Sequence, residues 1–292
     1  CEGLIQKCEF SNNVCGTGDD IYYRTGAGSA LPLVVDQNTF KKSSSAASSS
    51  LIYLDYIANS NFEFRNNKLE ITTENTYLFD FKRNSNSKSK PSSSNIKFDN
   101  NCFKPEIKNL IKDDTTQNQE LKNYYDTTYS NDEPFLSGCE TESPNDPTSK
   151  PSIETTNEPI ISTDKPTESE PKNCQCPSDY TSFSDIAEIT SGKSYCGCEL
   201  DISESVRTDD VALIIKDSFF TNCESTENGG AIYISYKNTH SGKKTTIINE
   251  TLFSTCKSEI SGGALYISTT SITEETQIIG CVFEANSATT SG

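Results

Sequence analysis

The sequence has no methionine, no tryptophan and a single histidine, His240, and only 33% of its 292 residues are hydrophobic. So little apolar material does not suit a close-packed globule of this length. One histidine leaves little scope for a Cys2His2-type zinc site. Lys and Arg number 25 against 42 Asp and Glu, and the net charge of −17 argues against a nucleic-acid partner, which needs clustered cations. The charge reads instead as the solubility of a secreted surface. No run approaches the roughly 18 apolar residues that a bilayer span requires. Phosphate-binding, nucleophile-elbow and dinucleotide fingerprints are missing, as is the D-x-D-x-D-G calcium loop, so no cofactor or metal is expected.

Cysteine, by contrast, is plentiful: twelve residues fit an oxidising compartment and an extracellular or cell-surface location. The chain opens on Cys1, which suggests a removed leader or a longer precursor. Asn249-Glu250-Thr251 is a candidate glycosylation sequon. Lys41 to Ser50 and Arg83 to Asn95 are too polar to pack. So is Glu140 to Lys172, where prolines recur among Thr, Ser and Glu. These segments suggest a β-rich region at 1–139, a disordered linker at 140–172, and a repeat region at 173–292 entered through Cys174, Cys176, Cys196 and Cys198. In a secreted chain those four are candidate disulfides. One residue between the members of each pair is a poor spacing for a metal knuckle.

Internal periodicity carries the most information. Ile214 to Ser235 reads IIKDSFFTNCESTENGGAIYIS and, 33 residues on, Ile247 to Ser268 reads IINETLFSTCKSEISGGALYIS. Phe220 falls on Phe253, Cys223 on Cys256, and Gly229-Gly230 on Gly262-Gly263. Ile232 and Ile234 fall on Leu265 and Ile267. A third unit starts at Ile278, with Phe283 in the Phe slot and Asn286 in the Cys slot; it stops at Gly292 inside the pattern, as a fragment would. The period-two runs predict strands with Ile232 and Ile234 on one face and Tyr233 on the other. The glycine pair permits a corner at positive φ. Strand, corner, strand, repeated, describes a parallel β-helix whose coils stack about 4.8 Å apart. Phe220, Phe253 and Phe283 then form one inward ladder, and Ile215, Ile248 and Ile278 another. Cys223 and Cys256 fall within bridging distance, either as a disulfide or as two packed thiols.

The N-terminal region carries a fainter echo. Phe62 to Asn67, Phe79 to Asn84 and Ile96 to Asn101 share an apolar-charged-Phe-x-x-Asn pattern at 17-residue spacing, and Cys8 to Asn13 resembles Cys281 to Asn286. Degenerate coils would explain this. An ordinary β-meander with a hairpin at Asn66-Asn67 is the rival.

Phe219-x-x-Asn222 followed by Gly229-Gly230-Ala231-Ile232 resembles the FxxN and GGAI motifs of the polymorphic outer-membrane protein repeats of bacterial adhesins and protist surface proteins. In the second unit Gly262-Gly263-Ala264-Leu265 carries Leu for Ile, and Phe253-x-x-Cys256 carries Cys for Asn, a form that protist members share. The likeness covers Ile214 to Gly292. It implies a right-handed parallel β-helix and a role in adhesion or host contact, with a host or cell-surface protein or glycan as partner.

The expected function is therefore a non-enzymatic, adhesin-like surface or secreted protein. One alternative is a carbohydrate-active β-helix enzyme, for which Asp19-Asp20, Asp113-Asp114 and Asp209-Asp210 are the candidate carboxylates. They lack the companion motifs of such enzymes, and His240 reads as a loop residue between coils. A purely structural spacer is the third reading.

Overall fold

Short β-branched and aromatic runs separated by single left-handed residues build the molecule. A computed structural model of the chain describes residues 3–24, 32–43, 50–56, 61–73, 76–83, 96–103, 110–112, 115–129, 134–137, 176–184, 189–190, 193–236, 244–269 and 274–292. The expected linker at 140–172, Cys174, His240 and Asp113-Asp114 lie outside these residues.

The first coil comprises β1 (Gly3–Gln6), β2 (Glu9–Ser11), β3 (Val14–Cys15) and β4 (Ile21–Arg24). The next comprises β5 (Leu33–Asp36), β6 (Thr39–Lys42) and β7 (Ser50–Tyr56). Then follow β8 (Phe62–Arg65), β9 (Lys68–Ile71) and β10 (Tyr77–Arg83), and β11 (Ile96–Asp99) and β12 (Asn101–Phe103). Helix α1 (Thr116–Thr128) and β13 (Phe135–Ser137) complete this half. The second half begins with β14 (Thr181–Ser182), β15 (Ser194–Cys198), β16 (Asp201–Ile202) and β17 (Val206–Asp209). Above them lie β18 (Ala212–Lys216), β19 (Phe219–Thr221), β20 (Glu224–Ser225) and β21 (Ile232–Tyr236), then β22 (Lys244–Asn249), β23 (Leu252–Ser254), β24 (Lys257–Ser258) and β25 (Leu265–Thr269). The last coil is β26 (Glu274–Ile279), β27 (Val282–Glu284) and β28 (Ser287–Ala288).

All pairings among the described strands are parallel, so the protein is a parallel β-helix, and the N-terminal half forms coils rather than a meander. The first face is a nine-stranded sheet in the order β11-β8-β5-β1-β26-β22-β18-β15-β14. The second runs β13-β12-β9-β6-β2-β27-β23-β19-β16. The centre of both orders places β1 on β26 and β2 on β27. The first coil of the chain thus sits directly on the last, and residues 1–139 and 176–292 make one compact unit. The resemblance between Cys8 to Asn13 and Cys281 to Asn286 is the likeness of adjacent coils.

The expected ladders form. Phe220 pairs in register with Phe253 and Phe253 with Phe283, with ring centroids 5.2 and 4.9 Å apart. The stack continues across the seam through Phe10 to Phe40, at 5.0 and 4.9 Å. Ile215, Ile248 and Ile278 align beside it. Each such buried side chain contributes roughly 1.5–3 kcal/mol, which polar exteriors do not offset.

Two kinds of corner turn the chain. After the first face, Lys7, Gln37, Asn66, Asn100, Glu199, Asp217, Glu250 and Gly280 take positive φ. The residue following each is buried: Cys8, Asn38, Asn67, Asn101, Ser218, Thr251 and Cys281 carry a polar atom or thiol, and Leu200 is the apolar exception. After the second face, Asn12, Asn222, Thr255 and Ala285 take positive φ, followed by Asn13, Cys223, Cys256 and Asn286. The Phe-x-x-Asn spacing therefore marks two different corners. Phe64 and Phe98 lead into the first, Phe10 and Phe283 into the second. The 17-residue spacing is corrected accordingly: β8 stacks on β11, while Phe79 lies on β10 of the third face. Asn66-Asn67 is a coil corner, not a hairpin. A strand edge buried on one side leaves no room for a reversal, and Asn100 takes the same φ one coil on.

The glycine pairs divide their work. Gly229 and Gly262 carry the positive φ, at 78° and 70°. Gly230 is instead needed for close approach, because a Cβ there would lie 1.9 Å from the carbonyl oxygen of Gly263 in the next coil.

Helix α1 was not expected from the strand patterning. Thr115 caps it by accepting from the Asn118 N–H, and its buried face is only Asn118 and Leu121. It covers the outer edge of the solenoid. The Tyr129 hydroxyl accepts from the Phe98 N–H, Tyr124 donates to the Ile96 carbonyl, and Asn118 accepts from the Phe81 N–H. Otherwise these edge groups would be open to pairing by another strand.

Candidate functional site

The third face behaves differently from the other two, since it breaks into β17-β21-β25 and β4-β7-β10. Its outward positions follow one line: Arg207 in register with Tyr233, Tyr233 with Tyr266, and beyond the break Tyr22 with Tyr53. Tyr233 and Tyr266 stack at 5.6 Å, Tyr22 and Tyr53 at 5.4 Å, and the Arg207 guanidinium lies 4.4 Å from the Tyr233 ring centroid. All four tyrosines are half-buried and stack in two pairs, one on each side of the break. Such a stripe offers aromatic surface and hydroxyls together, the combination that interfaces favour.

At the break, a cavity of about 170 Å³ opens into the core beside Phe10, Asn13, Asp20, Ile21, Leu265 and Ile267. Asp19 of the first coil is fully buried and pairs with the equally buried Lys42 at 2.9 Å. Lys42 also donates to the Asn13 carbonyl. Burial of two charges is sustained only by such pairing. Asp20, the neighbouring carboxyl, accepts from Asn13 Nδ2 at 2.9 Å through one oxygen, while its Oδ2 is buried without a hydrogen bond. Burial raises its pKa from 3.8 to about 7, against the opposing pull of Asn13 and Lys42. The pair read as candidate carboxylates thus splits into a closed ion pair and one cavity-lining acid. Asp209 is exposed and Asp210 buried at a left-handed position, so the second described pair does not converge on one side.

The cysteines fall into two groups. Cys176 and Cys196 form a disulfide with Cα atoms 5.6 Å apart, and Cys198 is disulfide-bonded too. The sulfurs of Cys176, Cys196 and Cys198 cluster as metal ligands would, but thiolates consumed by bonding do not ligate. Cys223 and Cys256 stack as expected and are free, as are Cys8, Cys281 and Cys15. No bridge forms between Cys223 and Cys256, because each thiol points to a carbonyl: Cys223 to Ile202 and Cys256 to Phe220, both at 3.4 Å. The Cys256 thiol alongside, and then burial, hold Cys223 above the usual thiol range. Cys8 and burial do the same to Cys281, and burial lifts Cys15 to about 12.

Asn286 reveals why Cys and Asn exchange in this slot. Its Nδ2 donates to the Phe253 carbonyl at 3.0 Å, the role that the Cys256 thiol plays towards Phe220, and its Oδ1 also accepts from the Cys256 N–H at 2.9 Å. At the other corner Asn38, Asn67 and Asn101 form the same ladder, each Oδ1 accepting from the backbone of the coil before it. Asn249, the sequon residue, ends β22 partly buried, and the Thr251 hydroxyl donates to its carbonyl. Nothing in the sequence pointed to the tyrosine stripe as a unit, because its two halves come from opposite ends of the chain.

These features define a β-helix repeat protein with a tyrosine stripe interrupted by a cavity. No family model, curated protein or solved structure matches the chain.

Proposed function

We propose that the protein is a non-enzymatic, adhesin-like surface or secreted repeat protein whose β-helix holds a recognition face out towards a host or cell-surface protein or glycan. The observation that carries this is the stripe of Tyr22, Tyr53, Tyr233 and Tyr266 along one face of the β-helix. Stacked tyrosines lose little conformational entropy on binding and present both flat apolar surface and hydroxyl groups. The likeness of the Gly-Gly-Ala motifs to those of polymorphic outer-membrane protein repeats supports the same reading, as does a disulfide, which belongs to an oxidising compartment. Among the described residues no helix is long and apolar enough to cross a membrane.

Immobilised protein is expected to retain cells or arrayed glycans, and Tyr233→Ala with Tyr266→Ala to abolish at least nine-tenths of that retention without unfolding. Unchanged retention would remove the stripe from the reading. The carbohydrate-active alternative is favoured by one feature, the raised carboxyl of Asp20 at a cavity. Cleavage of polyuronides that is lost in Asp20→Asn would establish it in place of adhesion.

A further inference from the structure

Lys42 is among the largest side chains that the fold removes from water altogether, and Asp19 meets it there. Neither side chain keeps any exposure, and Lys42 Nζ lies 2.9 Å from Asp19 Oδ2. The Lys41–Glu9 and Lys122–Asp126 pairs, by comparison, lie on the surface. The two partners come from different coils. Asp19 sits in the turn between β3 and β4 of the first, and Lys42 ends β6 of the second. Two charges without water carry a large desolvation cost, which proton transfer to a neutral amine and a carboxylic acid relieves.

The remaining polar contacts prepare these two groups to react with each other. Asp19 Oδ1 accepts from the Cys15 N–H at 2.9 Å, which draws electron density away from Cγ. Lys42 Nζ donates to the Asn13 carbonyl, which holds the nitrogen against the carboxyl. Asp20, the adjoining acid, accepts from Asn13 Nδ2 at 2.9 Å, and burial raises its pKa from 3.8 to about 7. Below that pH it adds no second negative charge to keep the amine as ammonium. A desolvated lysine amine is a nucleophile. Held against its electrophile, such a group can act at an effective molarity of roughly 10⁵–10⁸ M, and a dry interior offers no water to reverse the step.

We propose that Lys42 and Asp19 join through an amide between Nζ and Cγ, an intramolecular cross-link that ties the first coil to the second. Nζ passes one proton to Oδ2 across the contact between them, and its freed lone pair attacks Cγ. The developing negative charge falls on Oδ1, where the Cys15 N–H already points. A second proton follows from nitrogen to Oδ2, the Cγ–Oδ2 bond breaks, and water leaves. The third hydrogen stays on the amide nitrogen, facing the Asn13 carbonyl. Nothing is oxidised or reduced, and a neutral amide takes the place of two buried charges. The first coil also carries the seam with the last, through β1 on β26 and β2 on β27, so the bond anchors the junction of the two halves.

The test is the intact mass of the 292-residue protein, unfolded and with its disulfides reduced. A mass below that of the sequence by one water, about 18 Da, is expected. Tryptic digestion is expected to release a branched peptide that contains both Asp19 and Lys42, because trypsin does not cut after an acylated lysine. Lys42→Met is expected to restore the full mass of its own sequence. The full mass in the unaltered protein, with Lys42 recovered only in linear peptides after prolonged incubation, would overturn the proposal without reliance on any variant. Loss of water with only linear peptides would mark a cyclised aspartate, and loss of water that persists in Lys42→Met a different residue; either result overturns it too. None of these readouts depends on what the outer face binds, so the cross-link and the adhesin reading stand or fall separately.

Discussion

The backbone N–H of Asn286 donates to Oδ1 of Asn13 at 2.9 Å across 273 residues of sequence. Asn286 Nδ2 reaches the same oxygen at 3.1 Å, and Asn13 Nδ2 in turn donates to the Phe283 carbonyl at 3.1 Å. This polar ladder joins the two halves of the chain at their seam. Asn13→Ala orphans several buried groups at once and is expected to cost about 2–4 kcal/mol. Urea unfolding should show the loss in one transition seen alike by probes in both halves. Two separate transitions in the unaltered protein would mean that the seam does not couple them.

The two glycines of a corner should fail for different reasons and to different degrees. Gly229→Ala meets the Ile232 carbonyl oxygen at 2.4 Å and a φ of 78°, and Gly230→Ala meets the Gly263 carbonyl oxygen at 1.9 Å. Because the second clash is with the backbone of another coil, Gly230→Ala is expected to be the worse, at roughly 3 kcal/mol or more. Tyr233→Thr, on the outward side, should stay within about 1 kcal/mol. Thermal melting of the three variants checks the order; equal losses would mean that the facing of β21 is reversed.

Asp20 should impose a pH dependence on stability. Its folded-state pKa of about 7 lies above the 3.8 of the free side chain. The folded protein keeps this proton while the unfolded chain releases it, so the contribution to stability falls as pH rises from about 4 to about 7 and is level above. The groups facing it are Asn13, Lys42 and Asp19. Asp20→Asn removes the slope and is expected to raise stability at pH 8 by up to about 4 kcal/mol, the equivalent of three pKa units. Denaturation series at pH 5 and pH 8 measure it; a variant whose gain is the same at both pH values would show that the carboxyl titrates normally.

The Cys256 slot should accept asparagine. In Cys256→Asn the Nδ2 takes over the bond to the Phe220 carbonyl that the thiol now makes at 3.4 Å. A change within about 1 kcal/mol is expected, whereas Cys256→Leu, larger and without a donor, should cost ~2–3 kcal/mol. Chemical denaturation of both variants decides this. A leucine variant as stable as the asparagine one would reduce the slot to space filling.

Much of the solenoid could be read directly, because its signals are local. The 33-residue match put Phe220 on Phe253 and Ile232 on Leu265, and a register fixed by identical coils leaves no other stacking. The Phe-x-x-Asn echo of the first half was legible, yet its 17-residue spacing merged two corners. Both corners set a left-handed residue before a buried one, polar at most of them and Leu200 at one, and sequence alone does not say which face precedes each. Helix α1 carried little apolar signal, since it covers an edge through hydrogen bonds from Asn118, Tyr124 and Tyr129 rather than through a hydrophobic stripe.

By itself the sequence determined the coil: which residues point inward, where the glycines turn, and that the exterior is acidic and polar. These follow from alternation and from the conformational limits of single residues. Tertiary structure alone decided the order of the coils. Strand edges are interchangeable in hydrogen bonding, so β1 on β26 was one pairing among many until Phe10, Asn13 and Cys8 met Phe283, Asn286 and Cys281 in register. That choice put Asp19 and Lys42 together in the interior and set the two halves of the tyrosine stripe on one face, although they come from opposite ends of the chain.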